Sequence, residues 1–359
     1  MAFKLRDTDK KVLCYLSKYV NHNLKEISEI SGINYWGLYK IYERLRNAGV
    51  LREVIIPNFS YLGYEVFSAG YGNLTKKRVL EMLRLREEGE FKEYSSLLFY
   101  GIAESYRGFV FGLARNYTQV KKALIAAERT IRIRDILKSN EIEMVFLPLS
   151  IAHIPILFDY SRLLCRAAEI PNNEFLGMPE SKPERNLTKR ERMAMEIMLR
   201  NPRESLSSIA KKINATIQTA SKIKRRLFEE GWLVRRFIPN LSALGYEVMV
   251  FAHWHTNPAK MEKLDSLKEG MKEGQVDMSN IVFLGYDVLE GVAIAVFHSL
   301  KESREIISFF EKLGEGVGVL AEDPKIMFLS LQEGIKIKDH VYDGIIENMP
   351  PRQAVLKPC

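Results

Sequence analysis

The sequence has 359 residues, of which 47% are hydrophobic, so the chain is too long for one ordinary domain and has enough apolar surface for several compact cores. Its net charge of +8 at neutral pH suits a polyanionic partner, and its three cysteines, Cys14, Cys165 and Cys359, show neither zinc-site nor disulfide-framework spacing. We therefore expect a protein of the reducing cytoplasm, with no signal peptide and no membrane span.

The sequence contains an internal repeat. Residues 40–66 match residues 222–248 at a constant offset of 222 − 40 = 182, with 15 identities in 27 positions. The same offset aligns the apolar run at 144–147 with the run at 326–329. Chance does not produce such a match, so the chain is predicted to consist of two copies of a unit of about 150 residues.

The front of the first copy has the spacing of a helix-turn-helix. Apolar residues three and four positions apart predict three short helices, which begin near Asp7, Leu24 and Asn34, with Gly32 as the turn between the second and the third. A β-prone run from Val50 to Ile56 follows, where a wing is expected. This order predicts a winged helix-turn-helix over residues 1–58.

The back of the first copy alternates strand and helix patterns. The predicted elements are a strand at 64–72, a helix at 75–88, strands at 97–102 and 108–113, a helix at 117–132 and a strand at 142–149. The order βαββαβ predicts a ferredoxin-like domain, one antiparallel sheet with two helices on one face, over residues 59–150.

The second copy repeats both parts. A connecting segment at 151–186, with a helix at 155–169, is followed by a winged helix-turn-helix at 187–240, a ferredoxin-like domain at 241–332, which includes a helix at 259–273, and a C-terminal segment at 333–359 with a helix at 335–348. The predicted fold class is therefore α+β, with two tandem units that each consist of a winged helix-turn-helix and a ferredoxin-like βαββαβ domain.

The third helix of the second copy, predicted over 216–230, carries polar and basic side chains on the face that points away from the core. Hydrogen-bonding side chains lie toward its N-terminal end and cations lie behind them, as in a helix that reads base edges in the major groove and neutralises phosphates. Two arginines of the following β segment are expected to reach the DNA backbone. The predicted DNA-binding residues of this copy are Gln218, Thr219, Ser221, Lys222, Arg225, Arg235 and Arg236.

The equivalent face of the first copy is more aromatic and less basic. Its predicted DNA-binding residues are Tyr35, Trp36, Tyr39, Lys40, Arg46 and Arg52. Because the two faces differ, the two copies are not expected to read the same half-site. The aromatic face also fits a protein partner, such as a basal transcription factor or RNA polymerase.

One set of residues, together with the order of elements, resembles a known protein family. These residues lie mainly in the second predicted winged helix: Ile209 and Ala210, the turn at Asn214, Lys222 to Leu227, 230–233 and 239–245, with counterparts at 49–63. In these residues, and in its order of elements, the chain resembles the Lrp/AsnC (feast/famine) family of prokaryotic regulators, here as two fused copies. The resemblance implies binding to double-stranded DNA at promoters, dimerisation through the α/β domains and, in many members, a small effector. Gly285, Tyr286 and Asp287 form a turn one residue shorter than the family's Gly-x-x-Asp pattern, so the sequence leaves open whether an effector binds. No cofactor is expected.

Catalytic motifs are absent from the sequence: it has no phosphate-binding glycine loop and no nucleophile elbow. His253 and His255 alternate on a predicted strand, but no third metal ligand is evident, so ordinary strand side chains are expected. The chain is therefore predicted to be a sequence-specific DNA-binding transcription regulator and not an enzyme. Two alternatives stay open, an adaptor that binds the basal transcription machinery and a small-molecule sensor dominated by its α/β domains.

Overall fold

We describe the fold from a computed structural model, which describes residues 4–72, 80, 84, 97–104, 107–133, 142–180, 185–260, 278–311, 318–342 and 345–346. These residues form a mixed α+β architecture of short helices and antiparallel sheets. The chain divides into two units, the first made of Met1–Val54, Ala152–Met178 and Arg235–Glu333, and the second of Ile55–Ile151, Pro179–Val234 and Gly334–Cys359. Each unit therefore takes its helix-turn-helix from one copy of the repeat and its sheet domain from the other.

The first half of the chain follows the predicted order of elements. Its helices and strands are α1 (Asp7–Lys18), α2 (Leu24–Ser31), α3 (Tyr35–Asn47), β1 (Leu51–Pro57), β2 (Val66–Gly72), β3 (Leu98–Ala103), β4 (Gly108–Ala114), α4 (Tyr117–Ile133) and β5 (Ile142–Pro148). The helix predicted at 75–88 lies outside the described residues, apart from residues 80 and 84.

The second half begins with the connecting segment. Its elements are β6 (His153–Ile156), α5 (Ser161–Ala167), α6 (Lys189–Arg200), α7 (Leu206–Lys212), α8 (Ile217–Glu229), β7 (Leu233–Pro239), β8 (Val248–His255), β9 (Ile281–Tyr286), β10 (Glu290–Phe297), α9 (Arg304–Glu311), β11 (Lys325–Ser330) and β12 (Ile335–Asp339). The helix predicted at 259–273 lies outside the described residues beyond Lys260, which ends a short 3-10 turn.

Two five-stranded antiparallel sheets organise the two units. The sheet of the first unit has the order β11-β8-β10-β9-β6, and the sheet of the second has the order β12-β3-β4-β2-β5. The first four strands of one and the last four of the other have the strand order of a ferredoxin-like βαββαβ domain. In the first unit, alternate residues of β8, including Val250 and Trp254, pack with Ile306 and Phe310 of α9 in one apolar core.

The connecting segment differs from the helix predicted at 155–169. Its first residues form β6, which pairs with the edge strand β9, and only residues 161–167 are helical. An edge strand exposes unpaired N–H and C=O groups, and pairing with β6 satisfies those of β9, which outweighs the helical spacing of the apolar residues.

The segment after the second copy also differs from its predicted helix at 335–348. Residues 335–339 form β12, which pairs with β3 in the sheet of the first copy. Ile345 and Ile346 are buried in the same unit, where the Tyr64 hydroxyl donates to the Ile345 carbonyl at 2.6 Å. Each segment that follows a ferredoxin-like domain therefore completes the sheet of the other copy.

A disulfide corrects the expectation drawn from cysteine spacing. Cys14 of α1 and Cys165 of α5 are bonded to each other within the first unit and are both buried. The two residues are 151 positions apart in the sequence, so no local sequence motif indicates the bond. It fixes the first helix of the helix-turn-helix to the connecting segment that borders the sheet.

The β runs after the third helices do not form separate wings. β1 and β7 pair in a two-stranded sheet, and each strand runs from one unit into the other. The Asn240 N–H donates to the Val50 carbonyl at 2.8 Å, and the Asn58 N–H donates to the Trp232 carbonyl at 2.9 Å. Because each copy supplies one strand here, the two strands satisfy their backbone groups by pairing with each other.

Candidate nucleic-acid interface

The helix-turn-helix of the second copy is formed by α7 and α8. Asn214, in the turn between them, has a left-handed φ of 50°, which asparagine tolerates better than most residues. Thr216 caps α8, and its hydroxyl accepts from the Thr219 N–H at 3.2 Å. Ala220, Ile223 and Leu227 are buried on the inner face of α8, so the opposite face is set toward solvent.

The outer face of α8 carries four of the predicted DNA-binding residues together. Gln218, Ser221, Lys222 and Arg225 are all exposed. Arg225 lies 3.6 Å from Glu229 one turn later, but both side chains are more than half exposed, and such a surface pair holds an arginine only weakly. Thr219 is half-buried, and its hydroxyl lies 2.9 Å from that of Thr216, so it belongs to the helix cap.

An ion-pair network fixes α8 against α6. Glu191 is buried and accepts from Arg185 at 2.9 Å and from Arg226 of α8 at 3.1 Å, while Arg185 also contacts Glu230 at 3.0 Å. Burial alone would raise the pKa of Glu191, but the hydrogen bonds from Arg185 and Thr188 outweigh it and lower this pKa to about 2. A side chain ionised at neutral pH therefore holds α8 in place.

The first copy has an equivalent ion pair that was not predicted from the sequence. Asp9 of α1 is buried and forms an ion pair with Arg44 of α3. These two residues precede Glu191 and Arg226 by 182 positions, so the repeat offset itself relates the two pairs. The acidic residue near the start of the first helix was the signal that could have revealed both.

The outer face of α3 brings three aromatic side chains together. Tyr35, Trp36 and Tyr39 are exposed, and their ring centroids lie 5.4 to 6.4 Å apart. We call these three residues the aromatic cluster. Lys40 is exposed beside it, whereas Arg46 is half-buried and forms an ion pair with Glu43. This face therefore offers much ring surface and little free positive charge.

The strand arginines do not form one basic surface. Arg52 on β1 is exposed, while Arg235 is held by Glu53 at 3.0 Å and donates to the Val20 carbonyl at 3.1 Å. Arg236 is 4% exposed and donates to the carbonyls of Leu157, Leu176, Gly177 and Arg235 at 2.7 to 2.9 Å. In this structure Arg236 thus ties the connecting segment to β7, instead of lying on a wing where it could meet a phosphate.

One cation near the turn was not included in the sequence-based set. Lys211, at the end of α7, is exposed, and its neighbour Lys212 is engaged by Glu204 at 2.8 Å. The Lys-Lys pair directly before the turn was the signal that could have drawn attention to it.

None of the helices among the described residues has the length and apolar character that a membrane span requires.

No protein-family model matches the chain, and no curated protein matches it by sequence. Among solved structures, the siroheme decarboxylase NirDL is similar over 96% of this chain and 98% of its own, with a TM-score of 0.50 and 13% identity. NirDL in complex with an iron-uroporphyrin III analogue gives the same TM-score and identity, with coverage of 95% and 96%. These similarities support an AsnC-like fold for nearly the whole chain.

Regulators of the AsnC family are similar over a shorter stretch. The AsnC protein of E. coli covers 40% of this chain and 93% of its own at 18% identity, with a TM-score of 0.31. An AsnC family regulator from Agrobacterium tumefaciens also covers 40% of this chain and 90% of its own, at 13% identity and a TM-score of 0.30.

The comparisons correct one expectation. The lack of catalytic motifs led to the prediction that the chain is not an enzyme, and this is contradicted by the similarity to NirDL, an enzyme whose fold covers almost every residue. The missing motifs do not exclude catalysis, because function resides in specific sites that different members of one fold carry or lack.

Proposed function

We propose that this protein is a DNA-binding regulator of transcription, built from two tandem copies of a helix-turn-helix and a ferredoxin-like domain, which contacts double-stranded DNA through α8. One observation carries the proposal: the outer face of α8 combines exposed Gln218, Ser221, Lys222 and Arg225 on a helix that is capped at Thr216 and held by an ion pair between Arg226 and the buried carboxylate of Glu191. A rigid helix with such a face is suited to enter the major groove.

Each side chain of this face has a role in the proposal. Gln218 lies in the first turn of α8 and Ser221 follows one turn later, so both can donate to and accept from base edges. Lys222 and Arg225 lie behind them and contact phosphates, which fixes the register of the helix on the duplex.

The first copy is proposed to contribute differently. The aromatic cluster on α3 offers apolar ring edges to thymine methyl groups or to a protein of the basal machinery, with Lys40 and Arg52 as its exposed cations. The two helix-turn-helix motifs are therefore non-identical, and a regulator of this kind reads two unequal half-sites.

The test combines selection of genomic DNA fragments with matched variants. The purified protein is incubated with sheared genomic DNA at about 150 mM salt, and the affinity for an enriched fragment is then measured against salt concentration. Lys222→Ala and Arg225→Ala should each weaken binding and make the negative slope of log K against log salt less steep by about one unit. Lys121→Ala, an exposed lysine on α4 in the same unit, is the control and should leave both quantities unchanged.

The outcomes separate the parts of this proposal. If Lys222→Ala and Arg225→Ala bind the enriched fragment as the parent does, α8 is not the interface. If no fragment is enriched, the protein is not a sequence-specific regulator. The aromatic cluster would be assigned to protein binding if Trp36→Ala leaves the DNA affinity intact but abolishes capture of purified RNA polymerase or a basal factor.

A second candidate function follows from the full-length similarity to NirDL. We propose as an alternative that the chain removes carboxylate groups from a carboxylate-bearing iron tetrapyrrole, the class of compound that the names of the NirDL structures print. In such a step the bond between carbon and carboxylate breaks, carbon dioxide leaves, and a proton takes its place on the carbon. No oxidant is consumed.

The alternative is tested by adding siroheme to the protein under anaerobic conditions. A shift of the visible absorption bands on mixing, followed by a mass decrease equal to carbon dioxide in the extracted pigment, would support it. Unchanged bands and an unchanged pigment mass would exclude this activity, whatever the DNA-binding result.

A further inference from the structure

Two histidines and a glutamate converge at one end of the sheet of the first unit. His253 and His255 lie on the same face of β8, and Glu290 begins the neighbouring strand β10, where it pairs with His255 in the strand register. Glu290 Oε2 lies 3.2 Å from His253 Nε2 and 3.7 Å from His255 Nε2. The potential ligand atoms of all three residues lie within 4.8 Å of one another. We call these residues the His–Glu trio.

The spacing of the trio matches that of ligands around one metal ion. Two donors that each lie about 2.1 Å from a tetrahedral zinc ion are about 3.4 Å apart. The two separations between Glu290 Oε2 and the histidine nitrogens, 3.2 and 3.7 Å, lie on either side of this value. Two imidazoles and one carboxylate are the ligands of many zinc and non-haem iron sites, which keep open positions for water or substrate.

A further carboxylate orients one of the histidines. His255 Nδ1 lies 2.6 Å from Glu322 Oε1, so Glu322 can accept the proton on Nδ1 and leave Nε2 of the same ring for a metal ion. Metal-bound histidines usually have such a partner on the second ring nitrogen, and the partner fixes both tautomer and ring orientation.

The backbone around Glu290 is also fixed. Asp287 Oδ1 accepts from the N–H groups of Leu289 and Glu290 at 2.7 and 2.9 Å, which closes the turn between β9 and β10. A Cβ at Gly291 would lie 2.2 Å from the ring of Trp254, so only glycine lets β10 approach β8 this closely. Glu290 thus starts its strand from a rigid turn.

The trio is confined to the second copy. At the position 182 residues before His253 the first copy has Tyr71, whose hydroxyl donates to Glu143 at 2.7 Å, and Asn73 takes the place of His255. The two sheets share their strand order, so the fold itself does not require histidines here. His253 is 4% exposed, and its ring lies against Glu290.

We propose that His253, His255 and Glu290 bind one divalent first-row transition metal ion, with Glu322 as the residue that positions His255. The metal retains an open coordination position toward solvent, because His255 and Glu290 are only partly buried. This site shares no residue with the α8 face, and metal binding does not depend on DNA binding.

The test uses full-length protein without a histidine tag, dialysed against a chelator and then titrated with Zn²⁺ or, under anaerobic conditions, with Fe²⁺. We expect a stoichiometry of one bound ion per chain for Zn²⁺ or Fe²⁺. Co²⁺ bound at this site should show the strong visible absorption bands of an ion with four or five ligands. Mg²⁺ should not compete, since it prefers a set of six oxygen ligands. His255→Ala and Glu290→Gln should weaken binding by more than 100-fold, and Glu322→Gln should weaken it about 10- to 100-fold while keeping the stoichiometry.

The control is His153→Ala, which removes an exposed histidine of β6 in the same sheet and should bind like the parent. His255 is partly exposed, so its variant is expected to fold even where a variant of buried His253 does not. No saturable binding by the parent, or equal affinity of the parent and His255→Ala, would overturn the proposal. Both outcomes are independent of the affinity for DNA.

Discussion

At the scale of single residues, Arg236 shows why two adjacent arginines have different roles. Side chains at successive strand positions point to opposite faces, so Arg235 and Arg236 could never both face DNA. Their shared charge placed them together in the predicted interface, whereas strand alternation already indicated that they separate. Arg236 is 4% exposed, and its guanidinium donates to four carbonyls of the first unit. These hydrogen bonds join the connecting segment to β7.

Arg236→Met should therefore destabilise the protein without acting on DNA contacts. The substitution removes the guanidinium donors to the carbonyls of Leu157, Gly177 and Arg235, while the Leu176 carbonyl still accepts from the Leu157 N–H. An unsatisfied buried carbonyl costs about 1 to 3 kcal/mol, so we expect the unfolding free energy to fall by about 2 to 4 kcal/mol. Chemical denaturation measures this loss. Lys40→Ala, which removes an exposed lysine of α3, should change the stability by less than about 0.5 kcal/mol. Normal stability combined with lost DNA affinity in Arg236→Met would instead show that Arg236 contacts DNA.

Glu191 makes stability depend on pH in acid. Its pKa in the folded protein is about 2, below the ordinary value of 4.5, because hydrogen bonds from Arg185 and Thr188 outweigh burial. A lowered pKa contributes stability above about pH 4.5, and this contribution is lost as the pH falls toward 2. Each tenfold change in a proton-binding constant corresponds to about 1.4 kcal/mol, so the contribution of Glu191 is roughly 3 kcal/mol.

We predict that Glu191→Gln is less stable than the parent at neutral pH and that the difference shrinks between about pH 4.5 and 2. Urea unfolding of both proteins at a series of pH values measures it. A difference that stays constant down to pH 2 would mean that Glu191 titrates alike in the folded and unfolded chains, and that the Arg185–Glu191–Arg226 network contributes no pH-dependent stability.

At the scale of elements, sequence periodicity located nearly every described helix and strand. α8, β3 and β4 lie within one residue of their predicted bounds, because their sequences have the residue pattern of the element they form. β12 and the last two residues of β6 were predicted as helical, because the strand character of both segments comes from pairing with β3 and β9, partners remote in sequence. In the proposed DNA interface, exposure on α8 followed from the same periodicity, whereas the pairing of β1 with β7 did not.

The disulfide between α1 and α5 predicts the number of cysteine thiols that react with an alkylating reagent. Unfolded in denaturant without reductant, the chain should show one reactive thiol, that of Cys359, and after reduction it should show three. Mass spectrometry after alkylation counts them. Reduction should also lower the unfolding temperature, since the bond closes a loop of 151 residues and the loss of chain entropy from such a constraint contributes about 5 kcal/mol. Three reactive thiols before reduction would show that the two sulfurs are not bonded.

At the scale of the whole molecule, the repeat in the sequence does not coincide with the compact units. In each copy, the segment after the ferredoxin-like domain pairs with the sheet of the other copy, and we call this arrangement the exchange. β6 pairs with β9, and β12 pairs with β3. Pairing at a sheet edge leaves little trace in a single sequence, because many alternating segments can satisfy the same backbone groups. This exchange is the part of the fold that sequence reasoning could not reach.

The exchange predicts where a C-terminal truncation acts. A chain that ends at Glu333 lacks β12 and the buried Ile345 and Ile346, so in the second unit the edge of β3 is opened and the Tyr64 hydroxyl loses its acceptor. Hydrogen exchange should therefore become faster in peptides covering β3 and β4, while peptides from β8 and β10 keep their protection, because their ladder involves no residue beyond 333. A chain that ends at Met349 retains β12 and serves as the control. Faster exchange in β9 rather than β3 would show that the last segment pairs with the sheet of its own copy.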